Sequence, residues 1–237
     1  MQRGNQHIKA YFDAYSENYR NILAQSTGED IESASFFASQ KVGHLARCYP
    51  SNHSLQSILD YGCGVGMSLR PLRQTFPKAE IFGVDPSQSS LDIAAREHAD
   101  CHVKMLPLGE LNQSSYAQHF DLIFISCVFH HIDAKQHVAT LNSLRNLCSP
   151  TGRVAVFEHN PANPITRRIV RNCSFDEGVT LISPRTLRDR MTAAGWKGLR
   201  RSYISFVPPK LKRFKSLESV LGWCPLGAQY LITAKPN

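Results

Sequence analysis

The run Ile58-Leu59-Asp60-Tyr61-Gly62-Cys63-Gly64-Val65-Gly66 constrains the fold more than any other stretch of this 237-residue chain. A β-rich segment ends in an acid, three glycines follow at alternate positions, and a helical pattern begins near Met67. Glycine tolerates positive φ, so the chain can turn sharply and let a ligand approach bare backbone. The helix that follows presents unpaired N–H groups at its start. Strand, glycine-rich turn and helix in that order open an α/β sheet whose ligands bind beyond the carboxyl ends of the strands.

Downstream, short β-rich runs alternate with helical segments. The pattern predicts strands at Ser57–Tyr61, Glu80–Val84, Cys101–Met105, Phe120–Ser126 and Arg153–Glu158. It predicts helices at Met67–Phe76, Gln88–Ala99, Ala134–Leu147 and Pro184–Ala194. Such alternation implies right-handed crossovers and a mostly parallel sheet. The rhythm breaks near the end, where Leu199–Val207 and Gly227–Ala234 read as two strands with no full crossover helix between them. Upstream, Tyr11, Phe12, Tyr15 and Tyr19 recur at helical spacing, and a second helix runs from about Asp30 to Cys48. The expected organisation is a helical extension or lid over residues 1–50 and one α/β domain over 51–237.

A dinucleotide site would carry G-x-G-x-x-G. Counted from Gly62 or Gly64, the last glycine falls on Met67 or Leu69, so that fingerprint fails. An acid two residues ahead of G-x-G-x-G suits a ligand with an amino-acid end and no phosphates, whose ammonium meets the carboxylate of Asp60. Asp85 closes the second predicted strand, where an acid accepts hydrogen bonds from both ribose hydroxyls of a nucleoside. Without a ligand, the same residues read as a glycine-rich turn and, in Asp85-Pro86-Ser87, a helix cap.

Four segments carry a family resemblance: Asp60–Gly66, Gly83-Val84-Asp85-Pro86-Ser87, Phe120–Ser126 and Gly152–Glu158. Together they resemble the class I S-adenosylmethionine (SAM)-dependent methyltransferases, above all the small-molecule subgroup with the ubiquinone and menaquinone biosynthesis enzymes. The resemblance covers residues 55–160 well and the terminal strand pair loosely. It implies an α/β, Rossmann-like fold: a seven-stranded, mostly parallel sheet with an antiparallel last strand and helices on both faces. It implies SAM as cofactor and S-adenosylhomocysteine as product. On this resemblance Gly62, Cys63, Gly64 and Gly66 surround the methionine portion, with Asp60 beneath it. Asp85 and Pro86 lie at the ribose, and the backbone of Ser126 lies near the amino-acid end. The family often has an acid beside the adenine after the third strand. Here that region reads Cys101–Pro107, and Val103 is expected to frame the adenine instead. Tyr19 is the aromatic expected to close over the cofactor, a core stripe being the alternative.

Methyl transfer from a sulfonium is an in-line displacement, so alignment carries much of the rate, and a protic acceptor also needs a base. Phe129-His130-His131-Ile132 follows the fourth strand at the same rim, and an imidazole with an ordinary pKa of about 6.5 suits that task. His131, then His130, is the expected base; otherwise the pair packs and caps a loop. Glu158 ends the fifth strand, where it would orient a histidine, bind substrate or cap the next segment. Related ubiquinone O-methyltransferases carry acids around the fourth strand that suggest a metal site. This chain has Cys127, His130 and His131 there, so no metal is expected.

The net charge of +8 points to an anionic partner. Between Arg185 and Lys215 there are ten basic residues and one acid, Asp189. Arg167, Arg168 and Arg171 follow the proline-stiffened stretch Asn160–Pro164 and invite an anionic substrate, or else a solvated helix face. Lys210–Leu221 puts Leu211, Phe214, Leu217 and Leu221 on one helical face with cations opposite. Such a segment rests on a membrane surface or grips a lipid-linked acceptor, unless its apolar face packs on the domain. No N/D-P-P-Y/F motif or catalytic cysteine motif accompanies the charge, so nucleic acid is not the expected partner. The seven cysteines contain no C-x-x-C, which excludes a zinc ribbon and argues for reduced packing residues. No apolar run approaches the roughly 20 residues a bilayer requires, and no signal-peptide core is recognisable. The expectation is a cytoplasmic enzyme, with peripheral contact at the inner membrane face as an extension. It would methylate a hydroxyl or carbon of a small-molecule or lipid-like acceptor, the rivals being an RNA methyltransferase and a SAM-binding module without catalysis.

Overall fold

A computed structural model describes residues 13–28, 31–48, 55–112, 114–207, 218 and 220–236. Tyr11, Phe12 and most of the basic segment Lys210–Leu221 lie outside these described residues. Seven strands form one sheet in the order β3-β2-β1-β4-β5-β7-β6. They are β1 (Ser57–Tyr61), β2 (Glu80–Asp85), β3 (Val103–Pro107), β4 (Phe120–Ser126), β5 (Cys148–His159), β6 (Lys197–Ile204) and β7 (Gln229–Lys235). The pairs among β1 to β5 are parallel, whereas β7 runs antiparallel to both β5 and β6.

The helices are α1 (Tyr19–Thr27), α2 (Ile31–Cys48), α3 (Leu69–Thr75), α4 (Gln88–Glu97), α5 (His137–Leu147), α6 (Pro164–Arg171) and α7 (Pro184–Ala193). Their starts follow local chemistry. Ser87, Asn163 and Ser183 each accept the backbone N–H three residues on, and proline opens α6 and α7. The extended reading of Asn160–Pro164 therefore ends at Asn163, where the proline becomes the first residue of a helix rather than a stiffener of a loop.

Alternation along the strands separates two apolar layers. Ile123, Ile125, Val154, Val156 and Ile232 face one way and meet Leu141, Leu144, Leu187 and Trp196. Leu122, Phe124, Ala155, Phe157 and Leu231 face the other and meet Val42, Leu45, Leu69 and Leu72. Such two-sided burial is what makes the central strands continuously apolar. Because Val42 and Leu45 belong to α2, that helix closes the second layer of the sheet.

Gln229, the first residue of β7, pairs with His159 on one side and Ile204 on the other. The connection from β6 to β7 therefore leaves and returns at the rim where β1, β4 and β5 end. No helix among the described residues is long and apolar enough to cross a membrane.

Trp196 is fully buried and its indole N–H donates to the Leu141 carbonyl at 3.0 Å. Trp196→Ala should lower unfolding free energy by about 3–5 kcal/mol. Trp196→Phe should recover much of that loss in a urea titration, leaving chiefly the cost of the orphaned carbonyl.

Candidate functional site

One cavity of about 720 Å³ opens at the carboxyl rim of the sheet and reaches from the glycine turn to α6. That volume lies within the usual range for small-molecule sites. Its floor is the turn after β1, where the N–H groups of Gly62 and Cys63 both donate to the Val84 carbonyl, at 2.7 and 3.0 Å. Gly62 has φ +75°, and a Cβ there would stand 2.5 Å from a Val128 methyl. Gly64, at φ +52°, faces open space and donates its N–H to Asp85 Oδ2 at 2.9 Å. Asp85 Oδ1 accepts from Ser87 N at 2.9 Å. These two donors fix the carboxylate while leaving each oxygen a further lone pair.

Asp60 is buried at the end of β1, and its Oδ2 has no hydrogen-bond partner among the described residues. Burial, then the nearby Asp85, pushes its carboxyl up to about 8, although Lys41 opposes the rise. Asp85 is pushed up to about 6, again chiefly by burial. A carboxyl so raised, with a free oxygen facing a cavity, is a receptor for an incoming cation. Lys41 of α2 stands across from it. Its ammonium donates to Ser126 Oγ at 2.7 Å and approaches Cys127 Sγ at 3.6 Å.

Beyond β4 the wall is built from one buried carboxylate. Glu158 Oε1 accepts the backbone N–H groups of Val128 (3.0 Å) and Phe129 (2.7 Å), and Oε2 bonds His130 Nδ1 at 2.6 Å. On its other side His130 Nε2 lies 3.5 Å from Asp176 Oδ1, and His131 Nε2 lies 3.2 Å from the same oxygen. Asp176 arrives from a short 3₁₀ turn, Ser174–Asp176, after α6. Burial opposes charge on His130, but Glu158 and Asp176 outweigh it and hold the imidazole up at about 10. Burial also opposes ionisation of Asp176 and Glu158. Their histidine partners nonetheless hold both below the ordinary carboxylate range. His131 behaves oppositely: burial and the charge on His130 push it down.

The two histidines predicted together thus differ in state, His130 charged and His131 neutral at pH 7. The donor atoms of His130, His131 and Asp176 lie within 4.8 Å of one another, so they could also share a divalent ion. His130 Nε2 and Asp176 Oδ1 make no hydrogen bond among the described residues.

Tyr19, Asp60, Gly62, Cys63, Gly64, Asp85, Pro86, Ser126, His130 and His131 all line the cavity. Tyr19 also stacks on Phe175, ring centroids 4.7 Å apart, next to Asp176. Three expected residues stand elsewhere. Gly66 shapes the turn, packed against His98 and Leu69. Glu158 is fully buried behind His130 and does not face the cavity. Val103 pairs with Ile81 at the far end of β3, because that strand runs to Pro107 rather than Met105; Leu108, Gly109 and Leu111 reach the cavity instead.

The sequence reading missed Lys41, Asp176 and His159. Lys41 was detectable as a cation interrupting the buried face of Ala38, Val42 and Leu45. Asp176 carried no local signal. Cys127 takes a left-handed φ of 58°. Burial raises its thiol, but His159 and Lys41 prevail and bring it down to about 7.

Residues 59–154 match the Methyltransferase domain family. Malonyl-[acyl-carrier protein] O-methyltransferase of Priestia megaterium is 26% identical over 64% of this chain and 47% of its own. Trans-aconitate 2-methyltransferase of Pseudomonas paraeruginosa is 29% identical over 66% of this chain and 56% of its own. The chain thus spans about half the length of the curated relatives it matches. Among solved structures, a Thermotoga maritima SAM-dependent methyltransferase, a possible histamine N-methyltransferase, superposes with TM-score 0.69 at 17% identity. It covers 98% of this chain and 100% of that one. Haemonchus contortus phosphoethanolamine N-methyltransferase 2, in complex with S-adenosylhomocysteine, gives TM-score 0.64 at 14% identity over 96% of this chain and 59% of that one. The sheet order is that of the Rossmann-like methyltransferases. With the match over residues 59–154 and the glycine turn, it makes the chain similar in fold to the class I SAM-dependent methyltransferases.

His130→Ala would leave two buried carboxylates without their cation, at a cost of about 3–5 kcal/mol. The sign with pH follows from the raised imidazole: its stabilisation is full below 6.5 and lost as pH climbs through about 10. Wild-type protein should therefore lose stability in urea titrations between pH 7 and 10, and His130→Ala should lack that loss.

Proposed function

We propose that the chain moves the methyl group of SAM to a hydroxyl of a small-molecule acceptor, with His131 as the base. The observation that carries this reading is the position of His131 on the wall of the cavity that the glycine turn floors, its Nε2 3.2 Å from Asp176 Oδ1 and its imidazole pushed down by burial and by His130. SAM, when bound, supplies a methyl group activated by a positively charged sulfur.

This chain's residues bind and orient. The unpartnered oxygen of Asp60 takes the ammonium of the amino-acid end, and the incoming charge offsets the burial that raises the carboxyl. Lys41, beside Ser126, pairs with the carboxylate of the same end. Asp85, already held by Gly64 and Ser87, accepts the ribose hydroxyls on its remaining lone pairs. Gly62, Cys63 and Gly64 keep side chains out of the way, and Tyr19 with Pro86 closes the wall.

For the acceptor, Asp176 selects the tautomer of His131 with its proton on Nε2. The hydroxyl proton then goes to the other ring nitrogen, Nδ1. His130 is already protonated between Glu158 and Asp176, so it holds charge in place and is the poorer base. Glu158 positions through His130 and the loop backbone. The relatives named for malonyl-[acyl-carrier protein] O-methylation support an oxygen acceptor.

Calorimetry should detect SAM binding that Gly64→Arg abolishes. Asp85→Asn should weaken it by about 1.5–3 kcal/mol, the usual worth of hydrogen bonds to a charged group. Unchanged affinity in Asp85→Asn would remove that residue from the ribose.

His131→Gln should lower kcat by roughly 10²–10⁴-fold with SAM affinity intact. Because the imidazole is pushed down, the acid limb of the wild-type kcat profile should fall below pH 6.5, the ordinary value. Turnover unaffected by His131→Gln would make the residue structural. EDTA should leave turnover intact; loss restored by Zn²⁺ or Mn²⁺ would assign the His130, His131 and Asp176 atoms to an ion.

A further inference from the structure

The apolar side chains that most defy burial fall on two segments that border the cavity. Ile165 is 67% exposed, Val220 67%, Trp223 75% and Leu226 65%. Ile165 sits in the first turn of α6, and the other three belong to the connection from β6 to β7. Side-chain bonds tie these two pieces together. Asn163 Nδ2 donates to the Leu226 carbonyl at 2.7 Å, Asn160 Nδ2 to Pro225 at 2.9 Å and Gly227 at 2.8 Å, and Thr166 Oγ1 to Ala228 at 2.9 Å. Thr166, Ile169, Ala228 and Gln229 line the cavity, and the exposed Ile165 and Leu226 stand one and two residues from that lining in the chain.

Charge on α6 has one sign. Arg167, Arg168 and Arg171 are exposed on α6, and no ion pair among the described residues involves them. Buried Glu218 adds to the argument. Its carboxylate accepts the N–H groups of Ser205, Phe206 and Val207 at 3.0, 2.7 and 2.9 Å. Val207 and Glu218 are therefore held side by side, Glu218 two residues before Val220, and the intervening sequence contains Lys210, Lys212, Arg213 and Lys215. A two-fold dimer through this face would set Arg167, Arg168 and Arg171 against their own copies, which disfavours a second copy of the chain. Exposed apolar side chains headed by a tryptophan, on a helix whose exposed charges are all arginine and on the connection bonded to it, match the interfacial layer of an anionic bilayer.

We propose that this rim, Ile165, Trp223 and Leu226 with Arg167, Arg168 and Arg171, docks the protein on an anionic membrane surface and opens the acceptor cavity toward the lipid. The consequence for the acceptor, that it is anchored in or drawn from the bilayer, rests on the methyl-transfer reading. The docking does not.

The probe is a vesicle of phosphatidylglycerol and phosphatidylcholine, with pure phosphatidylcholine as control. Wild-type protein should co-sediment with the anionic vesicles at low salt and be released as salt shortens the Debye length toward about 3 Å at 1 M. Each cation near such a surface is worth roughly a fivefold change in partitioning, so Arg167→Gln/Arg168→Gln/Arg171→Gln should lower it by about 100-fold. Trp223 should shift its emission to the blue on anionic vesicles, and Trp223→Phe should abolish that shift, since Trp196 is buried. SAM binding by calorimetry should match wild type in every variant, which separates failure of docking from failure of the fold or of the cofactor site. Equal partitioning of wild type and the triple variant would overturn the proposal. So would a dimer that Leu226→Ser dissociates, or tight binding to an acidic carrier protein without vesicle binding.

Discussion

The carboxylate of Glu158 is the fixed point of the site. It is fully buried at the end of β5, and its two oxygens take three donors: two backbone N–H groups of the loop after β4 and the ring of His130. Desolvating a carboxylate is costly unless its lone pairs are filled, and here one of the donors carries a full charge. The loop 127–131 is thereby pinned to a neighbouring strand instead of following its own preference. Cys127 sits at positive φ as a result. Val128, held by the same carboxylate, lies where any side chain on Gly62 would need to be. The cofactor turn and the histidine wall are thus packed against each other through one valine.

Four buried acids stand at this rim, and their environments divide them into two pairs. Glu158 and Asp176 face histidines and are held below the ordinary carboxylate range. Asp60 and Asp85 face the cavity, where burial raises both. The first pair already has its counter-charge and so contributes rigidity. The second pair lacks one, which leaves the free protein with a destabilised patch that a cationic, hydroxyl-bearing ligand would relieve. Lys41 fits the same logic in reverse: it is a buried ammonium that donates to Ser126 Oγ and approaches Cys127 Sγ, the thiol that it and His159 bring down to about 7.

What the sequence made legible was what local chemistry decides. Strand β1, the glycine turn and Asp85 followed from residue type and spacing, and β4 was read to its residue limits. The two terminal strands were visible because no crossover helix separates them. Strand β3 was read two residues early, which moved Val103 to the wrong end of the sheet. Its weak burial alternation, with Lys104 and Pro107 exposed, gives little period to lock onto. Asp176 was invisible for a different reason. It meets His130 across 46 residues, through a single 3₁₀ turn that carries no periodic pattern. The absence of nearby carboxylates in the sequence argues against a metal site; the fold brings one, Asp176, to the two histidines from a distance. Glu158 was found as a candidate, but only the fold shows that it acts from behind the wall.

Topology also explains why cofactor recognition and the exposed basic surface can differ so much in character while sharing one cavity. Parallel strands β1, β2 and β4 deliver Asp60, Asp85 and Ser126 at their carboxyl ends, each fixed by a strand buried on both faces. Strand β7 runs the other way, so its first residue, Gln229, lies at that same rim between His159 and Ile204. Everything between Ile204 and Gln229 must therefore emerge and return beside the acceptor half of the cavity. Its length is constrained only by loop closure, which grows slowly with added residues. Residues there, and in the α6 segment bonded to them, can change without disturbing a single hydrogen bond of the glycine turn. On the proposed function, the cofactor falls to the most constrained strands and the acceptor to the least constrained connection. For that reason the cofactor was readable from a short motif and the acceptor was not.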